Sequence, residues 1–142
     1  MAATDHEIVV DTSVLVKWYA GWEEPRRAEA LALLDRFVAG DLEIHCPELV
    51  LYEMGNVLGK RAHDPEGAFR SFLDLPLKIH RPGPGMLLRA LAIMARKGGS
   101  FYDTIYGALS EDLGIPLVTA DRQQARRSGG KSILLETFAG RG

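Results

Sequence analysis

The sequence predicts an α/β domain in which a mainly parallel sheet carries helices on both faces. Three observations support that expectation. Short apolar runs recur along the chain, from EIVVDT at 7–12 through LEIHC at 42–46 and LKIH at 77–80 to PLVT at 116–119 and SILL at 132–135. Segments with helical apolar spacing lie between them, and Gly or Pro marks most of the joints. Strands that are apolar throughout, rather than alternating, belong to sheets covered on both faces, and the interposed helices supply the cover.

Taken in order, residues 7–12 form a β-branched run that ends on an acid, Asp11, and residues 13–20 (SVLVKWYA) form a first short helix. Residues 24–39 make a periodic helix with Ala28, Leu31, Leu34 and Val38 facing inward, and Gly40 ends it. After the strand at 42–46, Pro47 suits the first turn of a helix over 47–62. Asp64-Pro65 breaks that helix and 66–74 forms another. The strand at 77–80 runs into the turn-rich RPGPG, and a helix over 85–97 stops at Gly98-Gly99. A helix over 102–113 stops at Gly114, Pro116 opens the next strand, and a short helix from 122 to about 128 precedes the last strand.

One domain spanning 1–142 is expected at this length, and folding should bury about two-thirds of the extended-chain surface. Apolar residues at 46% and charged residues at 25% describe an ordinary soluble chain. No apolar run approaches a membrane span, and MAATDHEIVV lacks the basic start and apolar core of a secretion signal. A cytoplasmic location is therefore expected. Cys46 is the only cysteine, which excludes an internal disulfide and a cysteine-rich zinc site, and it reads as a small buried side chain. With 17 basic and 19 acidic residues the net charge is −2, which argues against a dedicated basic surface. A local basic rim remains open through Arg96, Lys97, Arg122, Arg126 and Arg127, which read equally well as solvated helix-end charges.

Four acids lie in or beside apolar stretches: Asp11, Glu53 in PELVLYEMGNVL, Asp103 in SFYDTIYGALSEDLG and Asp121 in IPLVTADRQ. No histidine or cysteine set accompanies them, so an oxygen-lined site for a hard divalent cation is one reading. Each acid also has a purely local role available. Asp11 can cap the following helix, as can Thr12 and Ser13. Ser100 and Asp103 have capping-box spacing, and Asp121 with Gln124 resembles a capping pair. Glu53 shares a helix face with Leu49 and Val57 at the margin of a buried stripe, with Asn56 and Lys60 beside it, and Lys60 is a possible salt partner. Spacing along the chain does not show that the four meet.

Together these motifs resemble the PIN-domain family of metal-dependent ribonucleases, in particular the VapC-type toxins of toxin–antitoxin pairs. The likeness runs from VVDTSVLVKW through PELVLYEMGNVL and SFYDTIYGAL to LVTADRQ. It implies a three-layer α/β/α sandwich around a parallel sheet. It also implies an acidic quartet of Asp11, Glu53, Asp103 and Asp121, supported by Thr12, Ser13, Asn56 and Thr119. Mg²⁺ or Mn²⁺ is then the expected cofactor, with Asp11, Asp103 and Asp121 as the direct ligands and Glu53 acting through water or as base. Some relatives carry a further acid where this chain has Gln123, which puts a second metal position in doubt.

The expected reaction is hydrolysis of RNA to 5′-phosphate and 3′-hydroxyl ends. The resemblance also implies a cognate antitoxin and a homodimer. Val14, Leu15, Trp18, Tyr19 and Trp22 share helical spacing and read either as core or as an exposed aromatic groove for a partner peptide. Other readings are a PIN nuclease of RNA maturation without antitoxin, and a non-catalytic binding module on the same fold. A phosphoaspartyl enzyme is disfavoured, because Ser13 stands where its D-x-D motif needs the second acid.

Overall fold

The structure, a computed structural model, describes residues 6–129 and 131–141. The reading of the N-terminal leader falls largely on residues 1–5, outside the described residues. The elements run β1 (Glu7–Val10), α1 (Thr12–Tyr19), α2 (Arg27–Val38), β2 (Glu43–Pro47), α3 (Leu49–Arg61), α4 (Pro65–Leu73) and β3 (Lys78–His80). They continue through α5 (Pro84–Lys97), α6 (Phe101–Leu113), β4 (Leu117–Thr119), α7 (Arg122–Arg127), β5 (Ser132–Leu134) and α8 (Leu135–Ala139).

All neighbouring strands are parallel, in the order β3-β2-β1-β4-β5. The helices flank this sheet as the expected α/β/α sandwich, with α5 packed on α6 and α7, and α1 packed on α2 and α3. β1 is central, and Ile8, Val9 and Val10 are fully buried. That is why the strand reads as a continuous apolar run rather than an alternating one. The chain builds outward from β1 to β3 on one side and then returns to add β4 and β5 on the other. The order therefore reverses between β1 and β4, and a crevice opens beyond the carboxyl ends of those two strands.

Lone Cys46 is fully buried in β2, with its Sγ 3.5 Å from the Val10 carbonyl, and burial pushes its thiol pKa up. No helix of the described residues is long and apolar enough to cross a membrane.

Three expectations need correction, and of the two readings of the α1 aromatics the core reading holds. The second helix is shorter, and its buried stripe is Ala30, Leu33 and Phe37, whereas Ala28, Leu31 and Val38 are exposed and Leu34 is half-buried. Both stripes are apolar, so periodicity alone does not choose between them. Phe37 decides, because its ring stacks on Trp18 at 6.0 Å while Trp18 Nε1 donates to the Ala30 carbonyl at 2.7 Å. Residues 24–26 stay outside the helix because Lys17 Nζ, itself buried, donates to Glu24 Oε1 at 2.9 Å and to the Pro25 carbonyl at 2.6 Å.

Pro47 belongs to β2, where it pairs with His80, and α3 begins only at Leu49. The aromatic groove does not form from α1. Val14, Leu15 and Trp18 are core, Tyr19 packs edge-on against Phe72, and Trp22 lies under the Arg61 guanidinium at 4.3 Å. Finally, Leu135 starts a helix instead of ending a strand, since Leu135 and Phe138 are both fully buried one turn apart.

Gly107 in α6 marks a close approach to the segment after α7. A Cβ there would stand 2.9 Å from Ser128 Cβ and 3.0 Å from the Gly129 nitrogen. Gly→Ala inside a helix normally stabilises by about 1 kcal/mol. Here the clash is with backbone, so Gly107→Ala is expected to lower stability by about 1–3 kcal/mol. The urea midpoint should fall, and an unchanged midpoint would contradict this packing.

Candidate active site

The crevice at the carboxyl edge brings the four acids together. Asp11 follows β1 and caps α1, Asp121 follows β4 and caps α7, Glu53 projects from α3, and Asp103 sits in the first turn of α6. With Thr12, Ser13, Tyr106 and Gln124 they line one cleft of about 170 Å³. The capping roles read from the sequence are real. Ser13 N donates to Asp11, Asp103 N donates to Ser100 Oγ, and Gln123 N and Gln124 N donate to Asp121. The same turns that cap the helices aim these acids into the cleft.

Asp11 is 5% exposed. Its Oδ1 accepts from Ser13 N at 3.1 Å and from Ser13 Oγ, and its Oδ2 accepts from Thr119 Oγ1 at 2.6 Å. Ser13 Oγ in turn accepts from Ala120 N at 3.0 Å, and Thr119 Oγ1 accepts from Asp121 N at 3.1 Å. Two hydroxyls thus stitch the end of β1 to the end of β4. Burial pushes the Asp11 carboxyl up to about 6, the Ser13 and Thr119 hydrogen bonds pull against it, and the nearby Asp121 charge adds to the rise.

Glu53 Oε1 accepts from Thr12 Oγ1 at 2.9 Å and from the Tyr106 hydroxyl, and these two hydroxyls lie 3.1 Å apart. Tyr106 is 2% exposed, and burial, then the Glu53 charge, pushes its phenol well above the ordinary range, so it stays a donor. Among the described residues no protein donor reaches Glu53 Oε2, and Glu53 makes no ion pair with Lys60 or any other cation. On the far wall, Gln124 Nε2 donates to the Asp103 carbonyl at 2.7 Å and ties α7 to α6.

Of the polar residues assigned from the sequence, Thr12, Ser13 and Thr119 contact the acids directly. Asn56 does not. It is exposed one turn beyond Glu53 and is not among the residues lining the cleft. Tyr106 and Gln124 were missed, although each lies three residues after an acid, a spacing that shares a helix face or a first turn. Of the proposed basic rim, Arg96 pairs with Glu111 at 3.8 Å and Arg122 with Glu136 at 3.1 Å. Those two charges are directed at acids outside the cleft.

The donor set suits a hard divalent cation. It is all oxygen, with no histidine or cysteine in the lining. Asp121 uses one carboxylate oxygen for its cap, and the Asp103 carboxylate accepts no hydrogen bond among the described residues. No lysine or arginine of the described residues forms an ion pair with any of the four acids. Mutually repelling carboxylates with free oxygens and no organic cation fit Mg²⁺ or Mn²⁺.

Comparison with known proteins agrees with this architecture. The PIN domain family model matches residues 8–130, and the chain belongs to that family. Ribonuclease VapC3 of Pyrobaculum aerophilum is 32% identical over 130 residues, covering 85% of this chain and 94% of that protein. The crystal structure of PAE2754 from Pyrobaculum aerophilum superposes with a TM-score of 0.69 at 25% identity, over 96% of this chain and 95% of that one. A toxin–antitoxin complex from Klebsiella pneumoniae has a TM-score of 0.70 at 16% identity, covering 90% of this chain and 97% of that one, which is a likeness of fold.

The raised Asp11 pKa has a measurable consequence. The carboxyl titrates near 3.8 when unfolded and at about 6 when folded, so between those values the folded state holds the proton more tightly. Stability from this group is present at low pH and is lost as pH rises through that window, leaving a cost on the order of 1–3 kcal/mol above it. Metal-free Asp11→Asn should therefore be more stable than wild type near neutrality, with the gap closing towards about pH 4. Urea unfolding in EDTA across that range measures it, and a gap independent of pH would refute the assignment.

Proposed function

We propose that the chain is a divalent-metal-dependent endoribonuclease of VapC type, one nuclease domain across residues 1–142, acting in the cytoplasm as the toxin of a type II toxin–antitoxin pair. The observation that carries this reading is the cation-free quartet at the β1/β4 switch point. Its support is a PIN-family chain that is 32% identical to a protein named as a ribonuclease.

Asp11, Asp103 and Asp121 hold Mg²⁺ or Mn²⁺, and Thr12, Ser13, Thr119 and Tyr106 position the carboxylates. Asn56 lies outside this frame. When bound, the cation supplies charge neutralisation at the phosphodiester and activation of water. Glu53 Oε2, left without a protein donor, accepts the proton of the attacking water as its oxygen bonds to phosphorus. The P–O3′ bond breaks, leaving a 5′-phosphate and a 3′-oxygen that takes a proton from solvent.

The antitoxin assignment draws on the complex formed by the Klebsiella relative. It also draws on apolar side chains left uncovered here, Leu88, Leu91 and Met94 along α5 and Tyr52 and Tyr102 beside an apolar groove between α3 and α6. An antitoxin and a second copy of the chain, in a homodimer, are the proposed cover.

The test is cleavage of RNA with Mg²⁺ or Mn²⁺. Asp11→Asn should reduce cutting to background, and undiminished cutting would overturn the proposal. Tyr106→Phe leaves the fold intact but frees one side of Glu53 Oε1. Its rate should fall about 10–100-fold, by analogy with the loss of an outer-shell hydrogen bond that orients an active-site group.

A further inference from the structure

The opposite edge of the sheet, where the strands begin, holds a separate set of ligand atoms. Glu7 and Glu43 open β1 and β2 and are direct partners in the parallel register. Like charges side by side on adjacent strands repel. Among the described residues neither is paired with a lysine or arginine. Both turn instead towards one imidazole, with His45 Nε2 3.0 Å from Glu7 Oε1 and 3.0 Å from Glu43 Oε1. One ligand atom from each residue lies within 4.8 Å of the other two.

His45 is not a surface side chain that drifted there. It is 8% exposed, and its other nitrogen, Nδ1, is 2.9 Å from His80 Nε2 on β3. Three proton arrangements satisfy this imidazole pair. In one, the Nε2 proton is shared between the carboxylates and His80 donates to Nδ1. In the other two, Nδ1 carries a proton and donates to His80, and Nε2 either is protonated as well, so that an imidazolium pairs with both carboxylates, or keeps its lone pair between them, where only a bound cation makes it favourable. A metal-ligating histidine ordinarily donates its second N–H to a carboxylate, carbonyl or water, and His80 Nε2 would take that place here.

The spacing fits. Tetrahedral nitrogen and oxygen ligands at about 2.0–2.2 Å from zinc stand about 3.3 Å apart, a few tenths of an ångström from the two nitrogen–oxygen separations of 3.0 Å. The glutamate side chains are 48% and 45% exposed, and a cleft lined by His6, Glu7, Asp41 and Glu43 opens beside them, leaving access for a water as fourth ligand.

We infer that Glu7, Glu43 and His45 form a second cation site, remote from the carboxylate cleft, for a borderline divalent ion of the zinc class, with His80 orienting the histidine. Nitrogen ligation separates it from the all-oxygen cleft, since Mg²⁺ is poorly served by imidazole. Its role is a clip. The ligands and His80 span β1, β2 and the three-residue edge strand β3, so a bound ion ties the outer strands to the centre of the sheet.

The experiment uses the full chain carrying Asp11→Asn, so that the acidic cleft is disabled, and titrates Zn²⁺ alone by calorimetry with thermal unfolding in parallel. One equivalent should bind and raise the unfolding temperature. Adding Glu7→Gln and Glu43→Gln should weaken Zn²⁺ binding at least tenfold and remove the thermal shift. These two side chains are half exposed and Gln keeps their shape, so the unfolding transition itself reports that the variant is folded. In the otherwise wild-type chain the same pair of substitutions should leave Mn²⁺-dependent RNA cleavage unchanged, so this test and that of the nuclease fail separately. No Zn²⁺ binding by Asp11→Asn, or equal binding after removal of both glutamates, would overturn the inference.

Discussion

A carboxylate buried at the end of the central strand constrains everything around it. Among the described residues Asp11 has no cationic partner, and it has almost no solvent, so its charge is held by donors that the fold brings to it. Ser13 supplies one side from the first turn of α1, and Thr119 supplies the other from the end of β4. Because each hydroxyl also accepts from the β4–α7 turn, holding this charge and locking β1 to β4 are one set of contacts. The sheet reverses its order at that same junction, which is where an open α/β sheet leaves a crevice for a ligand.

Two of the other acids follow a common rule in which part of the carboxylate is engaged and part is left over, whereas the Asp103 carboxylate accepts no hydrogen bond among the described residues. Glu53 has two hydroxyls on Oε1, and Asp121 has two backbone amides on Oδ1. The engaged oxygens set orientation, and no lysine or arginine of the described residues pairs with the remaining ones. Capping and ligation are therefore not rival explanations of the same residue. A helix start is a rigid mount for a carboxylate, and its positive end lowers the cost of keeping several negative charges close. Gln124 extends the frame, since its link to the Asp103 carbonyl holds the third and fourth acids on adjacent helix starts.

Negative charge is concentrated at both ends of the strands, with different chemistry at each. The carboxyl edge offers oxygen alone, and the amino edge offers two glutamates around a buried histidine. A net charge of −2 conceals this, because basic residues elsewhere, such as Arg96, Arg122 and Arg70, are engaged with acids outside both clusters. Composition reports the sum of the charges. The two edges depend on how they are arranged.

Much of the fold was legible in the chain. β1 and β4 are apolar on both faces, so their sequence marks them as buried strands, and the turns after them place Asp11 and Asp121 at one edge. The hydroxyls beside those acids, Thr12, Ser13 and Thr119, were legible for the same local reason. Tertiary structure decided the rest. The buried face of α2 was chosen by the stacking of Phe37 on Trp18, and two equally apolar stripes cannot reveal that choice. The partners of Glu53 come from α1 and α6, so local spacing could set Tyr106 beside Asp103 but could not pair it with Glu53. Local sequence fixes the period and direction of an element about its own axis. Which face is covered, and which distant side chain completes a site, is set by the neighbours that pack against it.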